Sequence, residues 1–463
     1  MRLSLEWLAE FIDLPPGREL ADRLNLGGFE DVEVEIGGPD LTGVVVGHVL
    51  EHVAHPGADR LSLCRVDRGD EIFDVVCGAP NVAVGQKIAY APAGTRLPDG
   101  RVLKKAKIRG VVSNGMICSE AELGLGEDPG GILVLDPDAP VGAPLAEVIR
   151  TGDGVLDVGL TPNRGDAASL LGIAREVRAL VGGEIRIPDT APDESGAAAT
   201  EAVSVTIDAV QDCHHYVARV VRGVRVAPSP EWLVQRLEAS GIRAINNVVD
   251  ITNQVLLEFG QPLHAFDLGQ LRGGRVGVRT ARAGEKLACL DGETRELAPE
   301  DLVICDAERA IALAGVMGGA DTEVGETTRD VLIESAYFRP TVVRLGARRH
   351  GLKTEASYRF ERGVDRDGVA RAADRAARLM AEIAGGQVAA GRVEARGDAA
   401  PRSEEIAFDV SRANRLLGTD IGVADAAELL ARVGLTGEAT AEGVIRCQVP
   451  SYRNDLHLQQ DIA

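Results

Sequence analysis

Aromatic side chains are scarce in this chain, at 3% of 463 residues: eight Phe, five Tyr and two Trp. Alanine, valine, leucine and glycine must therefore fill its cores. Paired cysteines are missing as well. The seven Cys, at 64, 77, 118, 213, 289, 305 and 447, are odd in number, scattered, and never form a CxxC pair. That excludes a disulfide framework and a zinc site, and implies reduced thiols. His214 and His215 beside Cys213 have no further ligand at suitable spacing, so they read as strand residues. No apolar run approaches the roughly 20 residues that span a bilayer. Residues 1–30 lack a basic segment followed by an apolar one, so no targeting signal is read there. The chain is expected in the cytoplasm, away from membranes. Positive charge is also in short supply, with 50 Lys and Arg against 71 Asp and Glu and a net charge of −21. Bulk attraction to nucleic acid is excluded, and any RNA contact needs a local basic patch.

What is present has the balance of a globular protein, 45% apolar and 26% charged, in a length suited to roughly three domains. The expected class is multidomain α+β. Residues 1–38 open with Leu5, Leu8, Phe11 and Ile12 on one helical face, stopped by Pro15-Pro16. A second helix over about 18–26 follows, and Val32, Val34 and Ile36 then alternate as in a strand. Residues 150–190 return to helix, with Leu170, Leu171, Ala174, Val177, Leu180 and Val181 as its apolar stripe. Packed beside the first helix, this segment would complete one α+β unit interrupted by residues 39–149. The interruption reads as short strands near 44–49, 61–66, 72–76 and 88–91, separated by the turns HPGAD, CGAPN and LPDG. That spacing suggests a small barrel of the oligonucleotide-binding kind. Arg101, Lys104, Lys105, Lys107 and Arg109 lay a basic ribbon along it. The ribbon is either an RNA contact or a solvated hairpin.

Residues 189–202, DTAPDESGAAATEA, have no periodicity and read as a linker. A large α+β domain over 203–398 follows. It has strands near 203–207 and 216–221, a helix over 230–240 with Ser229 as N-cap, and a longer helix over 367–385. The Gly-Asp-Ala-Ala-Pro run at 397–401 marks a boundary. A small α+β module at 401–463 carries helices over 411–417 and 424–433.

Three segments spend polar side chains where an ordinary core would not. One is 241–267, GIRAINNVVDITNQVLLEFGQPLHAFD. The second is 312–319, ALAGVMGG. The third is 344–365, RLGARRHGLKTEASYRFERGVD. Two readings stay open: the walls of one pocket, or a polar-seamed core with two solvated loops.

Eight collinear motifs carry a resemblance: HPGADRLSLCRVD (55–67), CGAPNV (77–82), IRGVVSNGMICSEAELGL (108–125), TPNRGD (161–166), the stretch 241–267, ALAGVMGG (312–319), RRHGLKTEASYRFERGVD (348–365) and PSYRNDL (450–456). In these the chain resembles the beta subunits of bacterial phenylalanine–tRNA ligases, over essentially its whole length. The resemblance implies a barrel inserted in an α+β unit, then a large editing domain and a small metal-binding module. It implies an alpha subunit that joins phenylalanine to tRNA(Phe) with ATP, in an assembly of two alpha and two beta chains. The beta chain would bind tRNA and hydrolyse tyrosine wrongly attached to it. By the same resemblance His264, Thr252, Asn253 and Thr354 would serve the hydrolysis, with His264 orienting a water or the substrate. Glu334, in VLIESA, would read the tyrosine hydroxyl. Ala314, Gly315 and Ala356 would shape the substrate pocket, and Arg243 would steer the tRNA end. Asp455 and Asp461 match the aspartates of a Mg²⁺ site. The two glutamates that complete it in relatives lie past Ala463, so the site is expected to be incomplete. A non-catalytic tRNA-binding scaffold with an inactive pocket is the main alternative, and a free-standing deacylase a second.

Overall fold

The structure is a computed structural model that describes residues 1–35, 38–126, 130–149, 154–397 and 405–463. Ile36, residue 150 and most of the expected boundary at 397–401 lie outside the described residues. The chain divides into two compact units, residues 35–154 and residues 1–34 with 155–463.

In the smaller unit five antiparallel strands run in the order Ile72–Cys77, Ser62–Asp67, Val45–Ala54, Lys87–Pro92 and Gly115–Ile117. The sheet curls until its edges nearly close. The Asn114 N–H donates to Asp74 O at 2.9 Å, and the Val76 N–H to Ser113 Oγ at 3.1 Å. Gly47 permits the tight curl, because a Cβ there would fall 2.7 Å from Val66 Cγ1 and 2.8 Å from Ile88 Cδ1.

In the larger unit Arg2–Ser4 and Glu30–Glu35 flank Val155–Gly159 in a small sheet. Two helices open on serine caps: Ser4 Oγ accepts from the Trp7 N–H, and Ser169 Oγ from the Gly172 N–H, each at 2.9 Å. Helix Leu170–Val181 packs beside helix Leu5–Phe11. Their apolar faces share one buried cluster with Val248, Ile251, Val255, Ala376 and Met380 from the domain that follows.

The expected linker at 189–202 is instead part of that domain. Glu194–Ala198 forms an edge strand parallel to Gln387–Ala390, and Ala199 opens a short helix with its side chain fully buried. An edge strand of small residues shows no alternation, so its pairing came from a partner about 190 residues away. The expected cap at 229 also differs. Helix Glu231–Ala239 starts without a side-chain cap, and the Ser229 hydroxyl donates to Asp250 Oδ2 at 2.5 Å.

The domain's main sheet runs Glu194–Ala198, Gln387–Ala390, Cys213–Arg222, Asp330–Phe338, Leu263–Asp267. Helices Asn247–Phe259 and Val369–Ala384 pack against this sheet and meet Ile333, Val331 and Ala265 in one core. Leu332, Phe266 and Tyr216 meet a second sheet, built on Arg275–Thr280, Leu302–Cys305 and Ala310–Leu313. The two-residue period of a strand thus aims alternate side chains into two different cores. A last small sheet, Glu405–Asp409, Val444–Gln448 and Thr436–Ala439, carries two helices.

Gly172 sits in the first turn of its helix, where a Cβ would fall 2.1 Å from Asp166 O and 2.8 Å from Ala167 Cα. Gly172→Ala should destabilise the larger unit by about 1–3 kcal/mol, the usual range for overpacking. A lowered urea midpoint checks this against the exposed control Val181→Ala, which should stay near the parent value.

Candidate functional site

A pocket of about 230 Å³ opens between the two sheets of the large domain. Glu334 and His264 line it and are directly opposed across the antiparallel pair Asp330–Phe338 and Leu263–Asp267. Opposed residues on one face stand close enough for their side chains to interact. Glu334 is buried, while His264 is half-buried with its Nε2 fully covered. Glu334 is 5% exposed, and its carboxyl makes no hydrogen bond among the described residues. His264 Nε2 is buried without a partner, its ring edge-on to Phe266 at 4.5 Å. Burial disfavours the charged form of each group. It pushes the Glu334 carboxyl up to about 8 and the His264 imidazole down to about 4. At neutral pH the pocket therefore presents a neutral carboxylic acid beside a neutral imidazole. Tyr216, on the next strand, does not line the pocket; it is fully buried behind Glu334, and its hydroxyl has no partner. Burial, and then the nearby Glu334, hold its phenol well above the usual range.

One wall is the hairpin between Ala310–Leu313 and Met317–Gly318. Gly315 turns it with φ +70°, and a Cβ there would meet Phe360 at 2.9 Å and Val343 at 3.0 Å. Only glycine suits both the backbone and the space. The Val316 N–H closes the turn onto Leu313 O at 3.0 Å, while the Gly315 N–H makes no hydrogen bond among the described residues. A Cβ on Gly318 would fall 2.6 Å from His264 Cε1, so this glycine seats the imidazole. The opposite wall is helix Glu355–Phe360, and Thr354 is its N-cap. The Thr354 hydroxyl accepts from the Ser357 N–H at 3.1 Å and donates to Val316 O at 2.9 Å. It thereby ties the two walls together.

Of the residues singled out from sequence, Asn253, His264, Gly315, Glu334, Thr354 and Ala356 all line this pocket. Thr252, Ala314 and Arg243 do not. The Thr252 hydroxyl donates to Val249 O at 2.6 Å inside its own helix. Ala314 is buried, with its N–H on Leu302 O at 2.9 Å. Arg243 is exposed on the turn before helix Asn247–Phe259. Much of the polar density in 241–267 is structural. Asn246 caps that helix by accepting from the Val248 and Val249 N–H groups, and Asp250 accepts from the Ile245 N–H at 2.8 Å. Of the apolar lining, Leu256, Met317 and Phe360 fall within the three segments offered as pocket walls, whereas Ile304 lies outside them.

Elsewhere, Lys104, Lys105, Lys107 and Arg109 are exposed on the barrel unit's surface and make no ion pair among the described residues. Arg101 pairs with Asp99 at 2.5 Å. Asp455 and Asp461 do not converge on a cation. The Arg453 guanidinium grips both Asp455 oxygens at 2.8 Å. Asp461 accepts from the His457 and Leu458 N–H groups of its own turn. Among the described residues no three His, Cys, Asp or Glu side chains gather as a metal site would require, so this donor set does not fit Mg²⁺. No helix among them is long and apolar enough to cross a membrane.

The raised Glu334 pKa makes a pH prediction. From about pH 4.5, the ordinary value, to about 8, the folded chain holds a proton that the unfolded chain has released. Stability therefore falls as pH rises through that window and levels off above it. Glu334→Gln removes the dependence. It should match the parent near pH 5 and exceed it by about 2–5 kcal/mol near pH 8, as follows from 1.36 kcal/mol per pKa unit. Amide exchange of the Asp330–Phe338 strand at the two pH values reads the difference.

Three stretches match protein-family models: 44–144 a putative tRNA binding domain, 212–385 a B3/4 domain, and 406–463 a tRNA synthetase B5 domain. Among curated relatives, the phenylalanine–tRNA ligase beta subunit of Anaeromyxobacter dehalogenans is 48% identical over 463 residues. That of Moorella thermoacetica is 49% identical over 472 residues, and that of Syntrophus aciditrophicus 45% over 468. Each alignment takes in 100% of this chain and 58% of the relative, so the chain spans less than two thirds of their length.

Proposed function

The chain belongs to the phenylalanine–tRNA ligase beta-subunit family, and we propose that its pocket hydrolyses tyrosine wrongly esterified to the phenylalanine tRNA. In this reading an alpha subunit charges the tRNA in the cytoplasm with phenylalanine, ATP and Mg²⁺, in an assembly of two alpha and two beta chains. Those co-reactants belong to the whole ligase.

The observation that carries the proposal is the opposed pair on one pocket wall, a buried Glu334 carboxyl and a half-buried His264 whose Nε2 has no partner. Tyrosine differs from phenylalanine by one hydroxyl. An apolar synthetic pocket rejects an added hydroxyl only about a hundredfold. A second pocket that pairs with the hydroxyl prefers tyrosine, because phenylalanine leaves the buried polar group unpaired. A neutral Glu334 carboxyl can donate its O–H to the phenol oxygen, or accept a hydrogen bond from the phenol O–H through its carbonyl oxygen. An open pocket with unpaired polar groups favours this reading over an inert scaffold.

His264 is too weak a base at this burial to strip a proton from water on its own. It acts as a hydrogen-bond partner that orients the water or the ester, aided by Asn253 and by the terminal hydroxyl of the tRNA. The water oxygen adds to the ester carbonyl carbon, and the carbonyl oxygen gains negative charge. The free N–H of Gly315 can take that charge, as an oxyanion site does. The bond to the ribose oxygen then breaks, the ribose oxygen takes the proton that the attacking water gives up, and tyrosine leaves as the free acid. Thr354 holds the two walls in register, and Gly315 and Ala356 leave room for the ring. Thr252 and Ala314 support the wall from behind. Arg243 and the ribbon Arg101, Lys104, Lys105, Lys107 and Arg109 guide the tRNA.

Deacylation of tyrosyl and phenylalanyl tRNA(Phe) by the assembled ligase tests this. The parent should prefer the tyrosyl ester, and Glu334→Ala should shrink that preference by about 10–100-fold. His264→Ala should lower kcat on the tyrosyl ester. Equal loss on both esters in Glu334→Ala would overturn the role given to that carboxyl. For the ribbon, neutralising Lys104, Lys105 and Lys107 should flatten the salt dependence of tRNA binding by roughly 0.7–0.9 for each phosphate left without its cation. An unchanged slope would return it to a solvated hairpin.

A further inference from the structure

We infer that the outer stripe of helix Pro340–Arg349, continued by Lys353, is the docking surface for the phosphate backbone of the RNA arm that delivers an ester to the pocket. The inference rests on the hydrolytic reading above. Arg344, Arg348 and Lys353 are exposed, and none makes an ion pair among the described residues. Their basic neighbours are engaged: Arg349 with Asp301, and Arg339 with Asp212 at 2.6 Å. In a chain of net charge −21, three unpaired cations on one short stretch call for a partner outside the fold.

Arg344 and Arg348 are four residues apart and stand on one stripe of the helix. Like charges at that spacing repel. The helix dipole offsets this for Arg348 in the last turn, but not for Arg344 in the middle or for Lys353 beyond the end. Nearby carboxylates do not neutralise the patch. Glu355 is paired with Arg359 at 2.6 Å, and Asp301 with Arg349 and His350. The patch also adjoins the pocket. The inner side of the same helix places Val343 against the Gly315 turn, and Lys353 precedes Thr354, a lining residue. Positive charge therefore runs along the helix to the pocket wall. A polyanion bound there would bring its end to the pocket, and an RNA backbone is the polyanion that carries an aminoacyl ester.

The test uses the assembled ligase carrying Arg344→Gln, Arg348→Gln and Lys353→Gln, with uncharged tRNA(Phe) titrated over a range of KCl. The slope of log K against log salt should fall by roughly 2–3. KM for tyrosyl-tRNA hydrolysis should rise at least ~10-fold, with kcat within about twofold, as expected when groups that only bind are removed. Hydrolysis of tyrosyl-adenosine, which lacks the backbone, should be unchanged. The Arg344→Lys, Arg348→Lys variant should keep the parent slope. An unchanged slope and KM would overturn the inference while leaving the hydrolytic reading in place. Equal loss on tyrosyl-adenosine would overturn it as pocket damage. Lost assembly with the alpha subunit at an unchanged slope would overturn it as a protein interface. A reduced slope in an enzyme whose parent hydrolyses neither ester would uphold the surface and defeat the hydrolytic reading.

Discussion

Strand Asp330–Phe338 is buried on both faces, and everything at the pocket follows from its two-residue alternation. Leu332 and Glu334 point toward the second sheet, while Ile333 joins the helix-side core and Ser335 donates to Val369 O at 2.8 Å. A shift of one residue would carry the carboxyl into the helix core and an isoleucine into the pocket. The register with Leu263–Asp267 holds His264 against Glu334 for the same reason. Two unpaired polar groups are costly to bury. They persist because apolar packing on both sides of the strand over-determines where they sit.

The surrounding polar residues divide into those that satisfy the fold and those left for a ligand. Asn246, Asp250 and Thr252 spend their hydrogen bonds on caps, turns and their own helix. Thr354 spends its hydroxyl on a cap and on Val316 O. Their contribution is rigidity: a hairpin turn with φ +70° and a short helix are fixed against each other across the opening. Asn253, His264 and Glu334 are the groups left to meet a ligand. In the proposed function, this small set of unpaired polar groups on a preorganised apolar wall is what would read one hydroxyl.

Much of the fold was legible in sequence because its signals are local. The barrel strands alternate between turn residues, and helix Leu170–Val181 shows its stripe. The pocket was legible only as three polar stretches. Ile304 was not legible at all, because it looks like any core residue until the sheets stack. The segment 189–202 looked like a linker because an edge strand of small residues carries no pattern. Ser229 looked like a cap, but a buried carboxylate on Asp250 competes for its hydroxyl more strongly than a backbone N–H does.

By itself the sequence determined the family, through collinear motifs, and which residue types are at hand: a carboxyl, an imidazole, glycines for a tight turn, cations in an acidic chain. Tertiary structure decided which of these meet. Register placed Glu334 opposite His264, and burial between the sheets shifted both toward their neutral forms. Hydrogen-bond competition turned Asp455 toward Arg453 and Asp461 toward its own backbone. Neither outcome is written in local spacing, because burial and pairing are properties of segments brought together from far apart in the chain.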